Sequence, residues 1–288
     1  MMRLMNVRLR RLLMPAGLVV WALGLLAPGV SAQAASPVVI ELPIDGVVDP
    51  GRIAAEARRL CDPDLACFQE VTSGELAAHF PGYQAFYAAG VDDAAEGGGR
   101  RRFGNLLLSR LPVGRVRRHS LPWPPSPEAP SMPRVAIEAV IEAPCGALRV
   151  TTTHLEYYSA EHRAAQLGRL RALHAEACGE RLAVRDPGPL HSAPLPQSAI
   201  VCGDFNLPPE DALHERMLQF GFADAWQALN PGVPHPATFR VHERDAGEAP
   251  YCCDYVFVTG DLVARLRSIA VDGETQASDH QPVMLEIG

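Results

Sequence analysis

Polar residues stand where short apolar runs stop. Gln69-Glu70 follows Leu65-Ala66-Cys67-Phe68, His154 follows Val150-Thr151-Thr152-Thr153, and Asp204 and Asn206 follow Ile200-Val201-Cys202-Gly203. Asp254 begins another apolar run, and Ser278-Asp279-His280 precedes the last one. Acids, an amide and imidazoles at strand ends sit on a rigid frame that can hold them in fixed relative positions. The set suits metal-assisted hydrolysis of a phosphate ester. Such an ester is anionic and repels hydroxide, so a hard cation has to neutralise its oxygens while a carboxylate or imidazole takes a proton from water. An Asn can hold a phosphate oxygen without adding negative charge. A His bonded to a carboxylate has a fixed tautomer and a higher basicity.

Composition removes several competing chemistries. All 26 basic side chains are arginine, which excludes Schiff-base catalysis, lysine-anchored pyridoxal phosphate and a Walker-type phosphate loop. Neither His-Glu-x-x-His nor Gly-x-Ser-x-Gly occurs, against a zinc protease and a serine hydrolase. Among seven cysteines, Cys67 and Cys202 lie in apolar runs and read as core thiols, while Cys61, Cys145, Cys178, Cys252 and Cys253 form no Cys-x-x-Cys and specify no zinc site. Residues 1–32 read as a secretory signal: basic Arg8, Arg10 and Arg11, an apolar stretch from Ala16 to Ala27, and small residues at Val30-Ser31-Ala32. The expectation is a periplasmic or secreted protein, with an uncleaved membrane anchor as the alternative. Losing that segment removes four arginines and no acid, moving the formal charge from −7 to −11, which disfavours non-specific nucleic-acid binding.

The elements that must position these residues follow from periodicity and caps. Val38 to Leu42 reads as a strand, Asp49-Pro50 opens a helix to about Leu60, and Leu65 to Val71 is a strand followed by a short helix from Glu75 to Phe80. Gly97-Gly98-Gly99 with Arg100, Arg101 and Arg102 reads as a basic solvated loop before a strand from Asn105 to Ser109, and Pro122 to Pro133 as a loop. Arg134 to Ala143 and Leu148 to Leu155 form a hairpin around Pro144-Cys145-Gly146. Ser159 caps a helix from Ala160 to Cys178 with Leu167, Leu170, Leu173 and Ala177 inward, whose Arg163 and Gln166 read as a solvated face. Ser198 to Cys202, Tyr255 to Val258, Val263 to Val271 and Val283 to Ile287 are further strands, with a helix from about Asp211 to Phe220.

Six segments in order, Gln69-Glu70-Val71, Gly104-Asn105 with Leu108-Ser109-Arg110, Thr153-His154-Leu155, Gly203-Asp204-Phe205-Asn206, Asp254-Tyr255 and Ser278-Asp279-His280, resemble the motifs of the endonuclease/exonuclease/phosphatase superfamily. The resemblance spans residues 38–288 as one domain after the signal at 1–32. It implies an α/β (α+β) fold of two packed mixed β-sheets flanked by helices, a four-layer sandwich. It also implies Mg²⁺ or Mn²⁺, bound by Glu70 and approached by Asp279. Asp204 would activate or orient water and Asn206 would hold the phosphate. His280 would be the acid/base or charge-stabilising group, oriented by Asp254, with His154 on the opposite side of the scissile phosphate. Whether Asp204 or His280 takes the proton stays open. One departure stands out: where the family's first strand carries a metal-side Asn, an ungapped reading places Leu42-Pro43, which predicts weaker metal binding unless Asp45 serves instead.

The expected function is metal-dependent hydrolysis of a phosphodiester or phosphomonoester on a small molecule, lipid head group or nucleic acid, by a monomer with no stable protein partner. A nuclease, recognised by salt-dependent DNA binding, is the first alternative. A non-catalytic phosphate- or protein-binding domain, indifferent to metal and to substitution at Glu70 or His280, is the second.

Overall fold

The structure, a computed structural model, describes residues 21–23, 37–39, 49–60, 63–72, 74–180, 193–243 and 249–288. Pro43, Asp45 and the leader other than 21–23 lie outside the described residues. In chain order the elements are β1 (Trp21–Leu23), β2 (Pro37–Val39), α1 (Pro50–Leu60), β3 (Leu65–Val71), α2 (Glu75–Ala78), β4 (Gln84–Ala94), β5 (Arg100–Ser109), β6 (Val113–Ser120), β7 (Val135–Ala143) and β8 (Gly146–His154). There follow α3 (Ala160–Gly179), β9 (Ala199–Asp204), α4 (Ala212–Gln219), β10 (Phe222–Asp224), α5 (Ala225–Leu229), β11 (Asp254–Thr259), α6 (Gly260–Val263), β12 (Leu266–Val271) and β13 (Val283–Ile287).

Strand alternation sorts the apolar side chains into layers. Cys67 in β3, Leu107 in β5, Ile137 and Ala139 in β7, Cys202 in β9, Val256 in β11 and Leu285 in β13 share the core between the sheets. Their sequence neighbours point the other way. Ala66, Phe68, Leu106 and Leu108 meet Ile53, Ala57 and Leu60 of α1, while Val201, Tyr255 and Phe257 meet Leu167, Leu170 and Leu173 of α3. The result is helix, sheet, sheet, helix, and strands covered on both faces read as unbroken apolar runs. Each fully buried Leu or Phe in these layers stabilises the fold by roughly 1.5–3 kcal/mol.

One sheet runs β10-β11-β9-β8-β7-β6 and the other side carries β3-β5-β4 and the β12-β13 pair. β8 and β9 are parallel, joined by α3 as the crossover, and their neighbours are antiparallel. Gly203 at φ 145° permits this pairing, since a Cβ there would lie 2.0 Å from the Thr153 carbonyl oxygen.

The structure adds two strands and corrects two expectations. Segments 84–94 and 113–120 are strands that no alternation announces, because both lie at sheet edges with largely exposed or half-buried side chains. The arginine run 100–102 is part of β5, not a loop, and pairs with Asp92 and Asp93 across the hairpin at 2.7–3.2 Å. The run from Val263 to Val271 divides into the end of α6 and β12.

Candidate active site

Strand register assembles the site. His154 pairs with Asp204 across the parallel β8–β9 ladder, and Asp204 pairs with Asp254 across the antiparallel β9–β11 ladder. Three candidate side chains therefore stand side by side at one end of the central strands of the six-stranded sheet. From the segment before β13, His280 directs Nδ1 to the Asp254 carboxylate at 3.0 Å. Asp204, Cys253, Asp254 and His280 are all buried, with potential ligand atoms within 4.8 Å of one another. The His154 Nε2 atom is 3.4 Å from Asp204 Oδ2 and 3.8 Å from Glu70 Oε1.

Backbone strain gathers at the same place. Among the described residues, the non-glycine residues at positive φ are Glu70 (59°), Asn206 (52°) and Arg240 (58°). The β3–β5 register shifts between Phe68 and Val71, so Glu70 sits in an irregularity that turns its side chain out of the strand's alternation. Asn206 donates its main-chain N–H to Asp204 Oδ1 at 2.7 Å and its amide to the Leu155 carbonyl at 2.9 Å. Arg240 N–H donates to the Asp279 carbonyl at 2.9 Å, fixing the approach to His280. Strained conformations of this kind cost about 1 kcal/mol or more each and persist where surrounding structure enforces them.

The electrostatics separate two roles. Burial and the adjacent Asp254 push the Asp204 carboxyl up to about 7, against the opposing effect of His280. Burial works against a charged His280, but Asp254 outweighs it through charge and hydrogen bonding, and the imidazole rises to about 9. At neutral pH, then, His280 is an imidazolium beside a carboxyl poised to exchange a proton. Burial and the Arg134 charge hold His154 well below the ordinary histidine value, so it is a neutral ring.

The structure brings Glu70, His154, Asp204, Asn206, Asp254 and His280 together. Asp279 adjoins His280 and its charge favours the protonated imidazole, while its carbonyl is engaged by Arg240 and its carboxylate accepts from Ser278 Oγ at 3.3 Å. Sequence reasoning missed Arg134. Its guanidinium is buried, lies 2.9 Å from His154 Nε2 and 3.6 Å from Glu156, and sits over the Phe103 ring. A signal existed, since counting back from the Pro144-Cys145-Gly146 turn places Arg134 beside the end of β8. Thr238 and Phe239 do more than pack. Thr238 Oγ1 accepts the Cys253 N–H at 3.1 Å, and the Phe239 ring lies 4.5 Å from His280. A cavity of about 740 Å³ lined by Glu210, Gln227, His235 and Tyr251 lies to one side, touching none of the predicted site residues.

Two buried carboxylates in direct register, one with a strongly raised pKa, are an arrangement that a divalent cation relieves. The donor set thus fits a hard cation held by carboxylate oxygens.

Comparisons with known proteins bear on the fold and the family. A profile described as "Endonuclease/Exonuclease/phosphatase family" matches residues 47–280. No curated protein sequence matches. Among solved structures, a mannosyl-6-phosphatase from Bacteroides thetaiotaomicron has a TM-score of 0.63 at 16% identity, covering 85% of this chain and 97% of its own. An endonuclease/exonuclease/phosphatase from Bacteroides vulgatus has 0.62 at 20%, covering 87% and 98%. The 3′ phosphatase NExo from Neisseria, bound to a product DNA hairpin, has 0.59 at 18%, covering 87% and 98%. At these identities the likeness concerns the fold.

Proposed function

The chain belongs to the endonuclease/exonuclease/phosphatase family, and on that premise we propose that it hydrolyses a small or lipid-derived phosphate ester with the help of Mg²⁺ or Mn²⁺. The observation that carries this reading is the register of His154, Asp204 and Asp254 on three adjacent strands, with His280 brought against Asp254.

Each residue has a task set by its surroundings. Arg134 brings a buried positive charge to the His154 side of the site, where it and the neutral His154 ring face one phosphoryl oxygen. Asn206, clamped by Asp204 and Leu155, presents its amide to another. Asp204, poised near neutrality, takes the proton from the attacking water. His280, kept protonated by Asp254, holds the oxygen on which charge gathers in the transition state. A cation held by Glu70, on the His154 side of the Asp204 carboxylate, would supply neutralisation of phosphate charge and a more acidic water.

The net charge of −11 without the leader favours small esters over polynucleotides. The structural likeness to a mannosyl-6-phosphatase and a 3′ phosphatase makes a monoester a fitting first substrate. A nuclease remains the second reading, supported by the product DNA hairpin bound to the Neisseria protein, and requires affinity for DNA that falls steeply with salt. Export through residues 1–32 is part of the proposal, and N-terminal sequencing of the mature protein tests it. The central test incubates purified protein with chromogenic aryl mono- and diesters of phosphate, with Mg²⁺ or with chelator, beside Glu70→Ala and His280→Ala. Release that needs metal and both side chains supports the reading, and equal signals in every sample overturn it.

A further inference from the structure

The exposed large hydrophobic side chains among the described residues are few, and three of them are Trp123 (48%), Tyr157 (36%) and Tyr158 (57%). All three belong to loops at the His154 end of the strands: 122–133 leads into β7, and 155–159 leaves β8. Isolated exposed aromatics need no explanation, but a group beside a reactive centre marks a binding surface.

These loops are built as one rigid base. The Glu156 carboxylate, fully buried, accepts main-chain N–H groups from Tyr158 at 3.0 Å and Met132 at 3.3 Å and lies 3.6 Å from Arg134. Gln166 of α3 accepts from Glu156 N–H at 2.8 Å and donates to the Pro122 carbonyl at 3.2 Å, tying the two loops together. Arg163 donates to the carbonyls of Glu156 and Tyr157. The expected solvated helix face at Arg163 and Gln166 is therefore a clamp, with Gln166 fully buried. Trp123 is pinned through its indole N–H to Ser131 Oγ at 2.7 Å, and Tyr157 and Tyr158 meet edge to face at 4.9 Å. Across the catalytic centre, Tyr251 packs edge-on against Phe239, which lies on His280.

We propose that Trp123, Tyr157 and Tyr158 form a platform for a ring in the alcohol portion of the substrate, making the enzyme selective for phosphate esters of ring alcohols over linear ones. The proposal rests on the phosphoesterase reading for its catalytic consequence. The loop that carries Tyr157 and Tyr158 also anchors the phosphate side of the site, since Glu156 accepts the Tyr158 N–H and lies 3.6 Å from Arg134, which touches His154, so a ring bound there adjoins the position proposed for the phosphate. Aromatic rings and the apolar faces of sugars share the required chemistry, a flat C–H or π surface for stacking. Pre-set loops lose little freedom on binding, so contact area converts into selectivity.

The test measures kcat/KM for phenyl against ethyl phosphate, as mono- and diesters, and for a hexose 6-phosphate against glycerol phosphate. It compares wild type with Trp123→Ala, Tyr157→Ala, Tyr158→Ala and Tyr158→Phe. A ring-to-linear preference that falls about tenfold in an alanine variant, the fold-change one stacked ring supports, and is kept by Tyr158→Phe supports the platform. A phenyl preference reduced in the alanine variants identifies aromatic esters, since the better leaving group alone favours phenyl in every variant, and a hexose preference reduced in the same way identifies sugars. Calorimetric binding of phenylphosphonate and ethylphosphonate separates the two proposals. Phenylphosphonate binding that depends on the aromatic residues without any turnover upholds the platform and overturns the hydrolase. Turnover with no ring preference, or a preference untouched by the alanine variants, overturns the platform alone. Neither binding nor turnover overturns both.

Discussion

Among the described residues, two clusters of histidine and carboxylate come together, and they are balanced in opposite senses. In the first, Asp224 meets four donors: His214 Nε2 at 2.8 Å, His235 Nε2 at 2.9 Å, and the main-chain N–H groups of Trp226 and Gln227. Burial opposes its charge, yet these bonds pull its pKa down to about 2. In the second, Asp204 faces another carboxylate, Asp254, and rises to about 7. The same residue types thus give a satisfied helix cap and a frustrated site. Where buried charge is fully answered it holds structure together, and where it is left in excess it is available to water, a cation or a substrate.

Substitution should separate the two clusters most sharply. His280→Ala or Asp204→Asn is expected to lower kcat/KM by about a thousandfold, measured on aryl phosphate with folding checked by circular dichroism. Asp224→Ala is expected to cost about 3 kcal/mol in denaturant unfolding, because His214 and His235 lose their acceptor, while kcat/KM per folded molecule changes less than about twofold. Equal losses of activity in the two clusters would erase the distinction.

A smaller effect has a distinctive sign. Asp204→Asn removes an unfavourable buried charge and is expected to raise the melting temperature by about 2–4 °C, roughly what 1 kcal/mol moves a domain of this size. A carboxyl whose folded pKa lies above its unfolded one supports stability at low pH and loses that support as pH rises through about 7. The gain should therefore appear at pH 8 and vanish at about pH 4, near the unfolded carboxyl value. Asp224 runs the other way: its depressed pKa stabilises the fold above the ordinary carboxylate range, and that contribution is lost as pH falls toward about 2.

Catalysis and metal refine the comparison further. The pH profile of kcat/KM should rise through about 7 as Asp204 loses its proton and fall through about 9 as His280 does, with a bound cation drawing the acidic limb lower. Millimolar Mg²⁺ should raise the wild-type melting temperature by a few degrees and leave Glu70→Ala nearly unmoved. Stabilisation that instead disappears with Asp224→Ala would place the cation in the wrong cluster.

The candidate site residues were legible in the sequence because central strands covered on both faces leave unmistakable apolar runs, and Glu70, His154 and Asp204 stand at their ends. Edge strands β4 and β6 were not, since a half-solvated edge carries too little apolar pattern to distinguish it from a loop. Arg134, Gln166 and Cys253 acquire their places only from partners that the chain brings in from distant segments: His154, the Pro122 carbonyl and His280. Sequence alone determined which groups could do chemistry. The tertiary structure decided which carboxylate is crowded and which is satisfied, because protonation depends on burial and on charges a few ångströms away, and those distances are set by strand register and loop closure rather than by order along the chain.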